Sequence, residues 1–402
     1  MHDLLRDLAI RKAKDENFFT VFSKEEDVNN LATIKPCRAA LQFCTPTEDG
    51  IYSENTRSLL CFGFGKRSSN NSGFGLLNYS GFRLLRVLTF ERVDMTTFTR
   101  RQWPKGMIHL RYLRLRNCNI PQGIFKEISF YDLETIDLNG SEVHKKANET
   151  LDLCDVVFPS LRHVYGTSMG ICLPLKWDKH TNLQTIMNVR MKVESVVELR
   201  FCINLRTLDI FIDAYLDNER VSKEWKNLKS VLERTEQLVY LCIKTNELLP
   251  FGGTKDLPCH GKIQKLVLWG HWKRNICVPS VEMFPTNLTK LELKYTKLLE
   301  DPMPILERLE SLRILYLYGY SYMGTELICS TGGFPNLQKM KLRWLPNLHH
   351  WDIKEGAMPI LRYLNIDGCK KLHVLPELQN LGTLQELTVV HPSRELWEYA
   401  VK

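Results

Sequence analysis

The stretch LRILYL, residues Leu312–Leu317, has apolar residues at its first, fourth and sixth positions. Leu315 and Leu317 are two residues apart, so on an extended strand they face the same side, while Tyr316 faces the other. A single short strand cannot bury its apolar face alone. The pattern therefore predicts that further copies stack beside it and share one core.

The same pattern returns along the chain at a nearly constant period. Thirteen copies, of which the fourth and fifth are weaker, begin at residues 85, 110, 133, 161, 183, 205, 238, 263, 288, 312, 337, 361 and 384. The mean step is about 25 residues, inside the range of leucine-rich repeats. We therefore predict an α/β leucine-rich-repeat solenoid, with a curved parallel β-sheet on the concave side and loops and short helices on the convex side.

Several copies carry small or polar residues where the chain would leave the strand. Examples are Asn117-Cys118, Asn139-Gly140 and Asp367-Gly368-Cys369. Phe-Pro precedes several strands, and the fixed φ and missing N–H of proline suit the entry to a strand. These residues predict the ends of individual repeats.

The residues before the array divide into three segments. Apolar residues at mostly helical spacing predict a short helix over residues 1–19, and the polar residues 20–36 predict a connector. We interpret residues 37–84 as irregular N-terminal capping repeats, because a solenoid must close its core at each end. The array then occupies residues 85–402.

Two local patterns predict further elements. The capping segment contains two candidate strands, at 37–43 and 57–62. In the longest step of the array, Leu228, Val231 and Leu232 recur at helical spacing, which predicts a helix on the convex side.

Composition excludes several classes of protein. Lys plus Arg total 54 and Asp plus Glu total 46, so the net charge of +8 over 402 residues is mild and does not indicate a nucleic-acid partner. The 12 cysteines have no regular spacing, which favours free buried thiols over a disulfide scaffold. The sequence has no signal-peptide pattern and no run of apolar residues long enough to span a membrane, so we expect a cytoplasmic location.

Motifs that would carry chemistry fail on inspection. The stretch at 63–69 has Gly65-Lys66 but lacks the first glycine and the Ser or Thr of a phosphate-binding loop. The pairs Cys259-His260 and His349-His350 lack nearby partners for a four-ligand zinc site. We therefore expect no enzyme activity, no metal and no cofactor in this chain.

The remaining candidate for a functional site is the concave surface of the predicted sheet. Residues two, four and six positions after each first leucine face the concave side, and many of them are basic or aromatic. Such side chains are typical anchors of protein contacts, although a simply solvated face is the alternative. The candidate protein-contact residues are Tyr112, Arg114, Arg116, Trp269, Lys290, Lys294, Tyr316, Tyr318, Lys339, Lys341, Arg343 and Tyr363.

The first residues add a resemblance. Met1-His2-Asp3 is followed by Leu-Leu-Arg-Asp-Leu-Ala, and a later repeat ends in L-x-x-L-P at residues 372–376. The chain resembles the end of plant intracellular immune receptors of the NLR class, most closely the coiled-coil NB-ARC-LRR subclass that includes late-blight-resistance-like proteins. Met1-His2-Asp3 looks like the MHD motif that closes the nucleotide-binding domain, so residues 1–19 would be the remnant of its winged-helix subdomain.

The resemblance implies a function. In that family the MHD histidine contacts bound ADP, so His2 would be the nucleotide contact and Asp3 its neighbour, with ADP or ATP a cofactor of the full-length receptor only. The repeats would restrain the receptor's own nucleotide-binding domain and recognise a pathogen effector or a guarded host protein. The alternative is a standalone cytosolic scaffold unrelated to immunity. A ubiquitin-ligase receptor would need an upstream helix pair for which residues 1–36 are too short.

Overall fold

The computed structural model describes residues 3–16, 18–23, 34–42, 54–63, 82–96, 107–121, 130–144, 158–167, 180–213, 228–248, 262–271, 281–394 and 396. The chain divides into two compact units. The first comprises Met1–Met191 with Phe201–Asn204, and the second comprises Lys192–Arg200 with Leu205–Lys402. Each is described by itself below.

The first unit is a stack of short parallel strands. Its strands are β1 (Thr20–Phe22), β2 (Arg38–Gln42), β3 (Ser58–Phe62), β4 (Val87–Glu91), β5 (Tyr112–Arg116), β6 (Asn119–Pro121), β7 (Thr135–Asp137), β8 (Glu142–His144), β9 (His163–Tyr165) and β10 (Thr185–Lys192). The main sheet has the order β1-β2-β3-β4-β5-β7-β9-β10, and β6 pairs with β8 beside it.

The second unit repeats this plan. Its strands are β11 (Thr207–Asp213), β12 (Tyr240–Leu248), β13 (Lys265–His271), β14 (Lys290–Lys294), β15 (Ile314–Tyr318), β16 (Glu326–Cys329), β17 (Lys339–Arg343), β18 (His350–Ile353), β19 (Tyr363–Asp367) and β20 (Glu386–Val390). The main sheet runs β11-β12-β13-β14-β15-β17-β19-β20, and a second small sheet pairs β16 with β18.

The repeat pattern maps directly onto these strands. Leu315 of β15 pairs with Leu291 of β14 on one side and with Met340 of β17 on the other, so equivalent apolar positions stack from repeat to repeat. The first apolar residue of every copy is buried except Leu384 of the last copy, which is half-buried. The prediction of a leucine-rich-repeat solenoid is therefore confirmed in each unit.

The turn after most of these strands contains a residue with a positive φ. The seventh residue after the first apolar residue of the repeat has a positive φ in nine copies; these residues are Arg92, Asn117, Gly140, Gly270, Tyr295, Gly319, Trp344, Gly368 and His391. Glycine and asparagine adopt this conformation most readily. This explains the small and polar residues seen in the sequence at 117, 140 and 368.

The N-terminal segment begins with a helix, as predicted, at Asp3–Asp15. Part of the predicted connector is a strand, however, because Thr20–Phe22 pairs in parallel with Ala39–Leu41. This strand has only three residues, too few to show a strand pattern in the sequence, and it depends on pairing with the next strand of the sheet. The two capping strands form as expected, as β2 and β3.

The helices outside this segment are short. A helix covers residues 228–234, where Leu228, Val231 and Leu232 are all buried, so the predicted helix is confirmed over the described residues. A four-residue helix spans Met303–Leu306. Single 3-10 segments span Val193–Phe201, Val281–Met283 and Leu378–Asn380.

Candidate protein-binding surface

The candidate residues of the second unit lie on one face of its sheet. On β15, Leu315 and Leu317 are buried, whereas Tyr316 and Tyr318 are half-buried on the opposite side. We call the side that carries these two tyrosines the open face. Parallel pairing places Tyr316 directly beside Lys341 of β17. The strands thus bring residues from repeats about 25 positions apart into one surface.

A carboxylate lies between the two lysines of β14. The Lys290 Nζ is 2.6 Å from Glu292 Oε1, and the Lys294 Nζ is 2.8 Å from Glu292 Oε2. Only 8% of Glu292 is exposed. Burial pushes the pKa of this carboxyl upward, but the hydrogen bonds and charges of Lys290 and Lys294 outweigh it and hold the pKa below its usual range.

The next strand places tyrosine rings against the same cations. The Tyr316 ring has the Lys290 Nζ at 5.1 Å and the Lys341 Nζ at 5.3 Å from its centroid. The Tyr318 ring has the Lys294 Nζ at 5.3 Å. These distances are within the range of cation–π attraction, worth about 0.5–1 kcal/mol each at exposed sites. Burial, followed by the Glu292 charge, raises the pKa of Tyr318, so its hydroxyl stays protonated.

The lysines of β17 differ from those of β14. The Lys339 Nζ lies 5.4 Å from the Tyr363 ring centroid, and Lys341 contacts the Tyr316 ring as above. Among the described residues, no carboxylate forms an ion pair with either ammonium. Two positive charges on this strand are therefore held by aromatic rings and remain available to a negatively charged group.

Arg343 ends the same strand in a different environment. Its Nε is 2.8 Å from Asp367 Oδ2, and Asp367 Oδ1 is also 3.0 Å from His391 Nδ1. The guanidinium lies 5.1 Å from the Trp344 ring centroid. Asp367 thus offsets the charge of Arg343 and orients it along the edge of the open face.

The open face is consequently less basic than the predicted residues suggest. Counting along the sequence singled out Lys290, Lys294 and Arg343 as cations, but did not include Glu292 or Asp367 at the matching positions. The surplus positive charge of this cluster is concentrated at the two lysines of β17.

The other predicted residues lie in the first unit, on β5. Arg114 Nε is 3.3 Å from Asp137 Oδ2, whereas Arg116 is exposed. Burial is the main cause that raises the pKa of Tyr112, with the Asp137 charge second. Tyr112, Arg114 and Arg116 all belong to β5 of the first unit, where Asp137 offsets the charge of Arg114.

Three exposed or half-exposed aromatic residues were not among the contact residues predicted from the sequence. Tyr295, Tyr320 and Trp344 lie just after β14, β15 and β17, beyond the positions two, four and six that were counted. Each has a positive φ. For Tyr295 and Trp344, an aromatic residue where other copies carry Gly or Asn was the signal available in the sequence.

A known protein family shares this repeat pattern. A family model described as a leucine-rich repeat region matches residues 57–401. The chain belongs to this leucine-rich-repeat family. The prediction made from the periodicity alone is confirmed over most of the chain.

Relatives of this leucine-rich-repeat protein come from Arabidopsis thaliana. It is 28% identical to "Probable disease resistance RPP8-like protein 2" over 100% of this chain and 44% of the relative. It is 29% identical to "Probable disease resistance protein RF9" over 94% of this chain and 35% of the relative. It is 26% identical to "Disease resistance protein RPP8" over 100% of this chain and 44% of the relative. The resemblance to plant disease-resistance proteins is confirmed, and the chain spans less than half the length of these relatives.

The predicted nucleotide contact belongs to the N-terminal end of the leucine-rich-repeat chain. His2 lies outside the described residues, and Asp3 is the first residue of the helix Asp3–Asp15. Their role in nucleotide binding stays a prediction from the family resemblance.

Three further findings concern the described residues of the leucine-rich-repeat chain. No group of three or more His, Cys, Asp or Glu side chains there is placed to hold a metal ion. His349 packs edge-on against His373, with ring centroids 5.9 Å apart. No helix among those same residues combines the length and the apolar character that a membrane crossing requires.

Proposed function

We propose that this chain is the ligand-recognition and autoinhibitory leucine-rich-repeat module of an intracellular plant immune receptor. The observation that carries the proposal is the match to Arabidopsis disease-resistance proteins along nearly the whole chain. None of these relatives favours the alternative of a scaffold unrelated to immunity. The module acts by binding proteins and not by catalysis, in the cytoplasm.

The open face of the second unit is the contact surface in this proposal. Lys339 and Lys341 carry positive charge without a carboxylate partner among the described residues, and tyrosine rings hold them in place. An acidic surface on a partner would complement them, and charge complementarity favours fast and selective association. The partner is the receptor's own nucleotide-binding domain, a pathogen effector or a guarded host protein.

In this proposal the nucleotide-binding site lies mainly in another domain of the receptor. ADP or ATP binds to the nucleotide-binding domain that precedes the repeats in the family, and His2 with Asp3 is this chain's contribution to that site. The chain carries no cofactor of its own.

The test begins with the genomic sequence upstream of Met1 and continues with the full open reading frame expressed in leaf cells. We expect an in-frame nucleotide-binding domain with a phosphate-binding loop. The double variant Lys339→Glu, Lys341→Glu should change autoactivity or the response to a recognised effector, scored as cell death.

The matched control is Lys370→Glu with Lys371→Glu, which makes the same change in charge at exposed residues after β19. It should behave like the wild type. A true transcription start without any upstream nucleotide-binding domain would favour the standalone scaffold. Equal behaviour of the two double variants would remove the lysines of β17 from the contact surface.

A further inference from the structure

Four aromatic residues lie on successive repeats of the second unit, near the ends of its strands. The aromatic row consists of Trp269, Tyr295, Tyr320 and Trp344, from four successive repeats. The ring centroids of Trp269 and Tyr295 are 5.6 Å apart, and those of Tyr295 and Tyr320 are 6.4 Å apart, both pairs being stacked. Trp269, Tyr320 and Trp344 are 37%, 45% and 48% exposed. Rings of this size are usually buried more deeply unless they meet a partner.

The backbone does not require aromatic residues in the row. Tyr295 and Trp344, at the seventh position of their copies, have φ values of 56° and 54°, where other copies have Asn117 and Gly368. Tyr320 follows Gly319, the seventh residue of its copy, and also has a positive φ of 59°. A bulky side chain is disfavoured in this left-handed conformation, and glycine or asparagine adopts it more readily. The aromatic side chains are thus present in spite of the local backbone preference.

Neighbouring glycines hold two of these rings in place. A Cβ on Gly319 would lie 3.0 Å from Cζ of Tyr295, and a Cβ on Gly368 would lie 2.3 Å from Cδ1 of Trp344. Each ring therefore lies against a glycine of the following repeat. Rings positioned in advance lose little conformational freedom when a ligand packs on them, which favours binding.

Charge is arranged beside the row. Lys339 and Lys341 lie on β17, and Trp344 is the residue that follows this strand. The two lysines have no carboxylate partner among the described residues, whereas Lys294 and Arg343 each form an ion pair with an acidic residue. The cations at the two ends of the row also contact its rings, with Lys294 at 5.9 Å from Trp269 and Arg343 at 5.1 Å from Trp344. The row is therefore bordered by a surplus of positive charge.

We propose that the aromatic row, with Lys339 and Lys341, is the docking site for an extended acidic peptide segment of a partner protein. Tyrosine and tryptophan offer apolar surface together with a polar group, which suits packing against a peptide. The row crosses four neighbouring strands and therefore spans about 15 Å. A peptide of about five extended residues has this length. Carboxylates of the segment pair with the two lysines. This inference rests on the proposed protein-binding function and specifies its partner.

The test is a selection of random nonapeptides displayed on phage against the full chain. Enriched peptides are then synthesised with fluorescein, and their dissociation constants are measured by fluorescence anisotropy. We expect the enriched peptides to carry a net negative charge. The variant Tyr320→Gly, Trp344→Gly should raise the dissociation constant at least tenfold, and so should Lys339→Glu, Lys341→Glu.

The controls separate binding from folding. Glycine at these positive-φ positions relieves backbone strain, so the double glycine variant should keep the thermal midpoint of the wild type within a few degrees. Trp344→His offers a second variant, because His391 occupies the same position with φ of 49° in the last repeat. It should weaken binding less than Trp344→Gly. Tyr131→Ala and Lys370→Glu with Lys371→Glu should leave the dissociation constants unchanged.

Several outcomes would overturn the inference. They are the absence of enrichment, enrichment of neutral or basic peptides, and tighter binding of a fluorescein-labelled single-stranded oligonucleotide than of the enriched peptides. If the lysine variant weakens binding and the double glycine variant does not, the aromatic row fails while the proposed contact surface stands. If neither variant has an effect, both proposals fail for this face.

Discussion

At Glu292, burial and ion pairing act on the same carboxyl in opposite directions. Burial disfavours its charged form, whereas Lys290 and Lys294, at 2.6 and 2.8 Å, favour it. The lowered pKa shows that the lysines outweigh burial. A residue that offsets charge on the open face therefore also contributes to the stability of the fold.

Replacing Glu292 by Gln should lower the free energy of unfolding by about 1–2 kcal/mol at pH 7, because charge-assisted hydrogen bonds are lost. A carboxyl with a lowered folded pKa stabilises the protein above its unfolded pKa, and that stability disappears as the pH falls through the folded pKa. The difference between the variant and the wild type should therefore shrink below about pH 4.

Urea unfolding followed by circular dichroism between pH 7 and pH 3 measures this difference. Glu326→Gln serves as the control, because Glu326 is exposed on β16 and should show no comparable pH dependence. A difference that stays constant over the whole pH range would contradict the role of the Glu292 charge.

At the scale of the single strand, β15 shows how one repeat divides its residues. Leu315 and Leu317 are fully buried, while Ile314, Tyr316 and Tyr318 lie half-buried on the open face. The alternation follows from the two-residue period of a strand. The same short element therefore supplies both the core and the candidate contact surface.

Leu315→Ala should lower the free energy of unfolding by about 2–5 kcal/mol, because it leaves a cavity between Leu291 and Met340. Ile314→Ala removes a similar volume from the other face of the same strand and should cost about 1 kcal/mol or less. Chemical denaturation of the two variants makes the comparison. Equal losses would mean that the two faces of β15 do not differ in packing.

At the scale of the whole molecule, the cysteines in the described residues are mostly core residues. None of these seven forms a disulfide bond; Cys37 is exposed, and Cys61, Cys118, Cys202, Cys242, Cys329 and Cys369 are buried. Burial raises the pKa of the Cys202 and Cys329 thiols to about 12 and that of Cys369 to about 11. The prediction of free buried thiols is thus confirmed for six of these seven residues.

Iodoacetamide labelling of the native protein should modify Cys37 rapidly and the six buried cysteines slowly, because only an accessible thiolate reacts. Peptide mass spectrometry resolves the sites. In denaturant, all seven should react at similar rates. Fast labelling of Cys202 or Cys329 under native conditions would show that the core opens readily.

The repeat period sufficed to predict the fold and to identify the basic and aromatic residues that the strands place on the open face. Apolar residues at fixed spacing can be buried only by stacking, so the main-sheet strands of the array, their order and their buried positions follow from the pattern, whereas the small sheets β6–β8 and β16–β18 do not. The capping strands followed from local apolar runs and the helix at 228–234 from helical spacing. The strand Thr20–Phe22 did not, because its three residues are too few to show a repeat pattern and a strand this short depends on pairing with Ala39–Leu41.

The arrangement of charge and aromatic rings depended on the folded chain. A one-dimensional count identified Lys290, Lys339 and Tyr316, but not that Glu292 neutralises one lysine while Tyr363 holds another. It also missed Trp344, whose ring is placed by a turn and by a glycine of the next repeat. Periodicity specifies which apolar residues face the core, since the side of the sheet that a residue faces depends on its spacing along the strand. Pairing among exposed side chains depends on distances between repeats, and these exist only once the strands are stacked.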